Sequence, residues 1–330
     1  MKRRSLLIAG ALSFGLATSV AFAESMKEIN FGIISTESSQ NLRTIWYPFL
    51  NDMGKKLDMK VNAYFAPDYA GIIEAMRFDK VDVAWYGNKS AMLAVDRAGG
   101  EIFAQTVDVD GNPGYWSLLL THKDSGLTFE DVLNCNHSLT FGNGDPNSTS
   151  GNLVPGYYVF AQNNIDVKQC YKRVLNSNHE TNALAVANKQ VDFATNNTET
   201  MARIQKNFPE KYEELKIIWK SPLIPSDPIV WRKNLSDDIK AKLKGFFMTY
   251  GVKGEDVAKE KKVLADLQWA PFSESDNNQL LPIRQLELVK QRRKIENDTK
   301  YSQAEKDSKI SEINGQLAEL QKQMASLRKQ

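Results

Sequence analysis

The feature that most limits what this chain can become is an alternation of short apolar runs and amphipathic stretches that starts, pauses and starts again. Residues 29–34 form an apolar run ending in Ser35-Thr36. From 41 to 57 the apolar residues Leu42, Ile45, Trp46, Phe49, Met53 and Leu57 recur at helical spacing. Residues 61–65 read as a second strand, 69–78 as a helix, 81–86 as a third strand and 90–97 as another helix. Such alternation predicts an α/β fold with parallel sheets covered on both faces.

A long apolar strand over 115–122 ends the first block, and the pattern then restarts. Strands are expected at 138–141, 171–175 and 191–194, and helices at 151–163, 180–189 and 198–207. Residues 215–219 and 228–231 flank Ser221-Pro222-Leu223-Ile224-Pro225. Two α/β blocks joined by two extended crossings predict two lobes, 24–118 with 222–280 and 119–221. A chain of 330 residues is long enough to bury two cores. The cleft between lobes, at the carboxyl ends of parallel strands, is where such folds bind small ligands.

The two ends of the chain read differently. Lys2, Arg3 and Arg4 precede a small, apolar stretch over 6–21, and Ala21-Phe22-Ala23 is an A-x-A cleavage signal. Residues 1–23 are therefore expected to be a secretory signal peptide, cleaved after Ala23, with the product released into a bacterial periplasm. Without the leader's three basic residues, the formal charge of +2 becomes −1. A near-neutral mature chain excludes wholesale nucleic-acid binding, which needs a basic face. At the other end, residues 285–297 are charged and helical. Ile310, Ile313, Leu317, Leu320, Met324 and Leu327 then follow a 3-4-3-4-3 spacing. That is a heptad seam, and residues 281–330 are expected to form a helical extension that makes a homodimer. A helix packed back on its own body is the competing possibility.

The most informative chemistry lies in residues 141–151. A strand ends in Phe141, a Gly-Asn-Gly-Asp-Pro-Asn turn follows, and Ser148, Thr149 and Ser150 open a helix. Free N–H groups at a helix start attract anions, and hydroxyls add donors without full charge. An ordinary helix cap needs one hydroxyl; three in a row point to an oxyanion cradle. The lysine and spacing of a P-loop are absent. A phosphoester hydrolase would use Ser148 or Ser150 as nucleophile with His179 as base, but no G-x-S-x-G elbow is present. His122, His137 and His179 show no metal-ligand spacing, and two cysteines are too few for a zinc cluster. No metal or cofactor is expected. Tyr69 and Tyr115 stand at loop edges, where hydroxyls can reach a cleft. Composition alone leaves Glu199 and Asp227 as caps or solvated surface.

In these residues the chain closely resembles the periplasmic phosphonate-binding proteins of phosphonate ABC transporters. The resemblance rests on 30–37, 65–73, 81–88, 113–117, 141–151, 153–160, 179–190, 194–199, 220–225 and 227–232, and covers roughly 28–290. It implies a type II periplasmic binding fold that closes on its ligand and is not an enzyme. It further implies capture of alkylphosphonates, 2-aminoethylphosphonate best, for an inner-membrane permease and ATPase. Phosphate, phosphite or another oxyanion is the competing ligand class. By the family's pattern, Ser148, Thr149 and Ser150 hold the phosphonate oxygens, assisted by Tyr69 and Tyr115. His179, Glu199 and Asp227 meet the amine. Cys135 and Cys170 depart from that pattern. Each lies just before an expected strand, so neighbouring parallel strands would bring them together as a disulfide in an oxidising compartment.

Overall fold

A computed structural model describes residues 26–327, so the expected leader lies outside the described residues. Its strands in chain order are β1 (Glu28–Ile33), β2 (Lys60–Phe65), β3 (Val83–Trp85), β4 (Gly100–Asp108), β5 (Gly114–Tyr115), β6 (Ser117–His122) and β7 (Thr140–Gly144). They continue with β8 (Arg173–Ser177), β9 (Phe193–Asn197), β10 (Leu215–Lys220), β11 (Ile224–Pro225), β12 (Pro228–Arg232) and β13 (Trp269–Glu274). One sheet runs β13-β4-β12-β3-β1-β2 and a second β10-β6-β9-β7-β8.

The sheets are mixed rather than all parallel. β1 pairs parallel with β2 and β3, and β7 with β8 and β9. The strands beside the crossings, β4, β6, β10 and β12, pair antiparallel, because there the chain passes between blocks without a crossover helix. The crossings lie side by side as the ribbon β5–β11, with Ile224 opposite Tyr115 and Pro225 opposite Gly114. A Cβ on Gly114 would sit 1.9 Å from the Ile224 carbonyl oxygen, so only glycine lets the two crossings touch.

The first block is held by an aromatic core. Trp46, delivered by the helix Ser39–Leu57, packs within 5.3–5.5 Å of Phe31, Trp85 and Trp269. Phe49 of the same helix meets Phe246, Phe247 and Tyr250. In the second block Phe141 stacks on Phe193 at 4.6 Å, with Phe160 and Tyr171 against their edges. β7 and β8 are neighbours, with Thr140 opposite Arg173. Cys135 and Cys170, just ahead of them, are disulfide-bonded with Cα atoms 4.5 Å apart.

The C-terminal seam has a partner within the chain. The helix Leu281–Asn297 lies on the body, buries Leu281 and Ile283, and pairs Arg284 with Asp96 through two hydrogen bonds. The helix Gln303–Leu327 folds back on it. Ile313 and Leu317 are buried there, Arg292 donates to Asn314 at 3.0 Å, and Lys306 donates to the Glu296 carbonyl at 2.9 Å. The hairpin thus takes up the middle of the surface that the heptad spacing assigned to a second copy. No helix among the described residues is long and apolar enough to cross a membrane.

Candidate functional site

The carboxyl ends of β1, β2, β3, β7, β8 and β9 converge on a small cavity between the two blocks. Parallel strands deliver their C-terminal turns, and the helix starts that follow, to one edge of a sheet. Two such edges face each other here. Every candidate ligand residue named from the sequence, Tyr69, Tyr115, Ser148, Thr149, Ser150, His179, Glu199 and Asp227, lines this cavity and is buried.

The hydroxyl run is a folded turn, not a loose loop. Ser148 caps the helical segment Thr149–Leu153, and its Oγ accepts from the Gly151 N–H at 2.9 Å. A Cβ on Gly144 would lie 2.5 Å from Gly151, so the strand and the turn can approach this closely only with glycine. Thr149 Oγ1 accepts from the Lys89 N–H at 2.8 Å, a bond that reaches across the cleft. Ser150 Oγ accepts from Asn197 Nδ2 at 3.1 Å. Tyr69 opens the helix Tyr69–Arg77, and its N–H donates to Asp145 at 3.2 Å.

The carboxyls form a second cluster. Tyr115 donates its hydroxyl hydrogen to Asp227 Oδ1 at 2.9 Å, so Tyr115 stands with the acids rather than with the hydroxyl run. His179 moves the other way. Its Nε2 is 3.4 Å from Ser148 Oγ and 3.5 Å from Ser150 Oγ, which places it beside the cradle and not with Glu199 and Asp227.

Burial sets the protonation states. It pushes Glu199 up to about 7, against the nearby Arg203 guanidinium that holds it down. Asp227 is raised well above the ordinary carboxylate range, first by burial and then by the Glu199 charge. His179 is lowered to about 3 by burial and by Arg203, so it is neutral. Tyr69 and Tyr115 are raised by burial and stay protonated. The cavity therefore offers neutral donors on one side and carboxyl acceptors on the other.

Several lining residues were not singled out as ligand residues from the sequence: Thr36, Trp85, Asn197 and Arg203. Two buried atoms on the cavity wall, Thr36 Oγ1 and His179 Nδ1, make no hydrogen bond within the protein. Buried polar groups are seldom left so, and a ligand is one way to satisfy them. The single available signal for Arg203 is its place four residues after Glu199, one helical turn on.

The hydrolase alternative gains proximity and loses the rest. His179 reaches both serines, but its Nδ1 has no carboxylate to orient the ring, and Ser148 Oγ is engaged as a helix cap. His122 lies elsewhere. It sits with Asp124 and Glu214, its Nδ1 accepting from the Asp124 N–H and its Nε2 3.0 Å from Glu214.

Two α/β blocks, two crossings and an enclosed polar cavity between them define a type II periplasmic binding protein. A family model described as "ABC transporter, phosphonate, periplasmic substrate-binding protein" matches residues 31–280. The phosphonates-binding periplasmic protein of Escherichia coli (strain K12) is 58% identical over 318 residues, covering 96% of this chain and 93% of that one. A crystal structure of the binding protein component of a phosphonate ABC transporter from Pseudomonas aeruginosa superposes with a TM-score of 0.89 at 63% identity. It covers 92% of this chain, which covers all of that one (100%). A Prochlorococcus marinus protein solved with methylphosphonate shares the fold, with a TM-score of 0.71 at 22% identity over 80% of this chain and 99% of that one. The chain belongs to the family of phosphonate-binding periplasmic proteins. It is the substrate-binding component of a phosphonate ABC transporter, a periplasmic transport protein rather than an enzyme.

Proposed function

We propose that the chain captures alkylphosphonates, 2-aminoethylphosphonate in preference to others, and delivers them to the permease and ATPase of its transporter. One observation carries the preference: Glu199 and Asp227 are buried in the same small cavity as Ser148, Thr149 and Ser150. Two buried acids beside an anion cost free energy unless a cation answers them. A zwitterion with an ammonium two carbons from phosphorus supplies that cation. In this reading the hydroxyl run, His179 and Tyr69 hold the phosphonate oxygens, and Glu199 and Asp227, with Tyr115 fixing Asp227, hold the amine. A receptor for phosphate or phosphite is the competing reading. Calorimetric titration with 2-aminoethylphosphonate, methylphosphonate, phosphite and phosphate separates them. The proposal expects the aminated ligand to bind tightest, and equal or tighter binding of phosphate overturns it.

Two smaller proposals accompany it. The leader is removed after Ala23, which N-terminal sequencing of the exported protein checks. The part of the C-terminal seam left outside the hairpin core, Ile310, Leu320, Met324 and the exposed Leu327, serves a second copy. Sedimentation as a dimer that becomes monomeric on truncation supports that role, and a monomeric full chain refutes it.

A further inference from the structure

Among the described residues that line the cavity, Arg203 is the one cation, yet its charge is already engaged. Its Nε pairs with a Glu37 carboxylate oxygen, and its Nη2 donates to Thr200 Oγ1 at 3.3 Å. Glu37 follows β1 in the first block, whereas Arg203 belongs to the helix Thr198–Asn207 of the second. The pair therefore spans the cleft. Both side chains are buried, at 2% exposure for Glu37 and 7% for Arg203. Lys206–Asp266 also crosses between blocks, but its side chains are 59% and 50% exposed, and such surface pairs are worth little.

Glu37 is held in place by its neighbours. The Thr36 carbonyl accepts from the Glu180 N–H at 3.3 Å, and the Ser38 N–H donates to Glu180 Oε1 at 3.3 Å. Both bonds cross the cleft, so the residues on either side of Glu37 are pinned to the opposite block. A ligand can enter this cavity only if the blocks part, and parting them pulls Glu37 from Arg203 and returns both charges to water. The ion pair is thus a property of the closed state.

We infer that Glu37 and Arg203 form an interlobe latch, a positioning pair that holds the two blocks shut around any bound phosphonate and sets how fast it leaves. A buried ion pair roughly breaks even against its own desolvation, but removing Glu37 leaves Arg203 in the interior with only Glu199 beside it, an incompletely compensated charge. That penalty falls on the closed state alone, because in the open state water solvates Arg203. The inference does not depend on which phosphonate is preferred, since neither charge has to touch the ligand.

The test is Glu37→Gln, which keeps shape and removes charge, read by stopped-flow binding of methylphosphonate and of 2-aminoethylphosphonate and by thermal melting with and without ligand. The latch predicts that dissociation of both ligands accelerates by the same factor, roughly 10- to 1,000-fold, the range for breaking a buried charge pair. Association rates stay within about threefold of the parent, since encounter occurs with the open state. Melting of the ligand-free protein is unchanged, and only the ligand-bound protein melts lower. Adding Arg203→Met to Glu37→Gln restores part of the lost residence time of methylphosphonate by removing the incompletely compensated charge. Unchanged dissociation of both ligands overturns the latch. So does an equal loss of melting temperature with and without ligand, which marks a purely structural pair. Acceleration confined to 2-aminoethylphosphonate overturns it as well, because it would make Glu37 part of the amine pocket. Finding no preference between the two ligands in the parent protein defeats the proposed function and leaves this test intact.

Discussion

Replacing Glu199 with glutamine is the perturbation that most cleanly divides the amine end of the cavity from the anion end. Glu199 sits at the start of the helix Thr198–Asn207, buried, with Arg203 one turn on and Asp227 in the same cavity. A carboxylate and an ammonium about 4 Å apart attract by about 4 kcal/mol at the effective dielectric of a protein site. Asp227 remains in the mutant and shares the ammonium, which lowers the loss. Arg203 remains as well and loses one of its two counter-charges, which raises it. About 2–4 kcal/mol is left, or about 30- to 1,000-fold in affinity for 2-aminoethylphosphonate. Methylphosphonate brings no cation and should bind the mutant as well as or slightly better than the parent, because a buried negative charge has gone. Paired calorimetric titrations of the two ligands give the answer. Small, equal losses for both would mean that Glu199 only supports its helix and that the amine pocket is elsewhere.

Other consequences can be checked separately. Ser148→Ala removes an anion donor and a helix cap at once, so both ligands should weaken alike by roughly 1.5–3 kcal/mol, with about 1 kcal/mol lost from unfolding stability; calorimetry and denaturant titration read the two. Burial holds Glu199 near 7, so it loses its charge as pH falls through that value. The ratio of 2-aminoethylphosphonate to methylphosphonate affinity, each corrected for that ligand's own phosphonate titration, should therefore be greatest above pH 7 and fall by up to about tenfold per unit below it; a corrected ratio that stays flat from pH 5 to 8 refutes the assignment. The Cys135–Cys170 bond closes a separation of 35 residues, so denatured, unreduced protein should show no reactive thiol. Reduction should lower stability by about 3–4 kcal/mol in the chain-entropy model.

The parts of this molecule that were legible in its sequence are those where local pattern and tertiary role coincide. The heptad-like burial of Leu42, Trp46, Phe49 and Met53 is written in their spacing and appears unchanged in the helix Ser39–Leu57. The turn from Phe141 to Ser150 combines glycines with three hydroxyls, a pattern whose geometry and chemistry agree. Sheet direction was not legible, because β6 and β12 look like any apolar run, and their antiparallel pairing is decided by where the crossings deliver them. The carboxyls were legible only by resemblance, since nothing in Thr198-Glu199 or Ser226-Asp227 separates a buried acid from a cap. Arg203 and Glu37 were missed for the same reason: their partners are 166 residues apart in sequence and meet only across the closed cleft. The heptad seam left its partner open, because its spacing specifies an apolar stripe and says nothing of whose helix covers it. Here Ile313 and Leu317 find the chain's own preceding helix.

The orientation of the ligand tests the account most directly. A crystal structure of the complex with 2-aminoethylphosphonate should place the phosphonate oxygens within hydrogen-bond distance of Ser148, Thr149 and Ser150, and the ammonium within about 3 Å of a Glu199 or Asp227 carboxylate oxygen. A ligand bound the other way round, or an ammonium left to water with neither acid in reach, would contradict it.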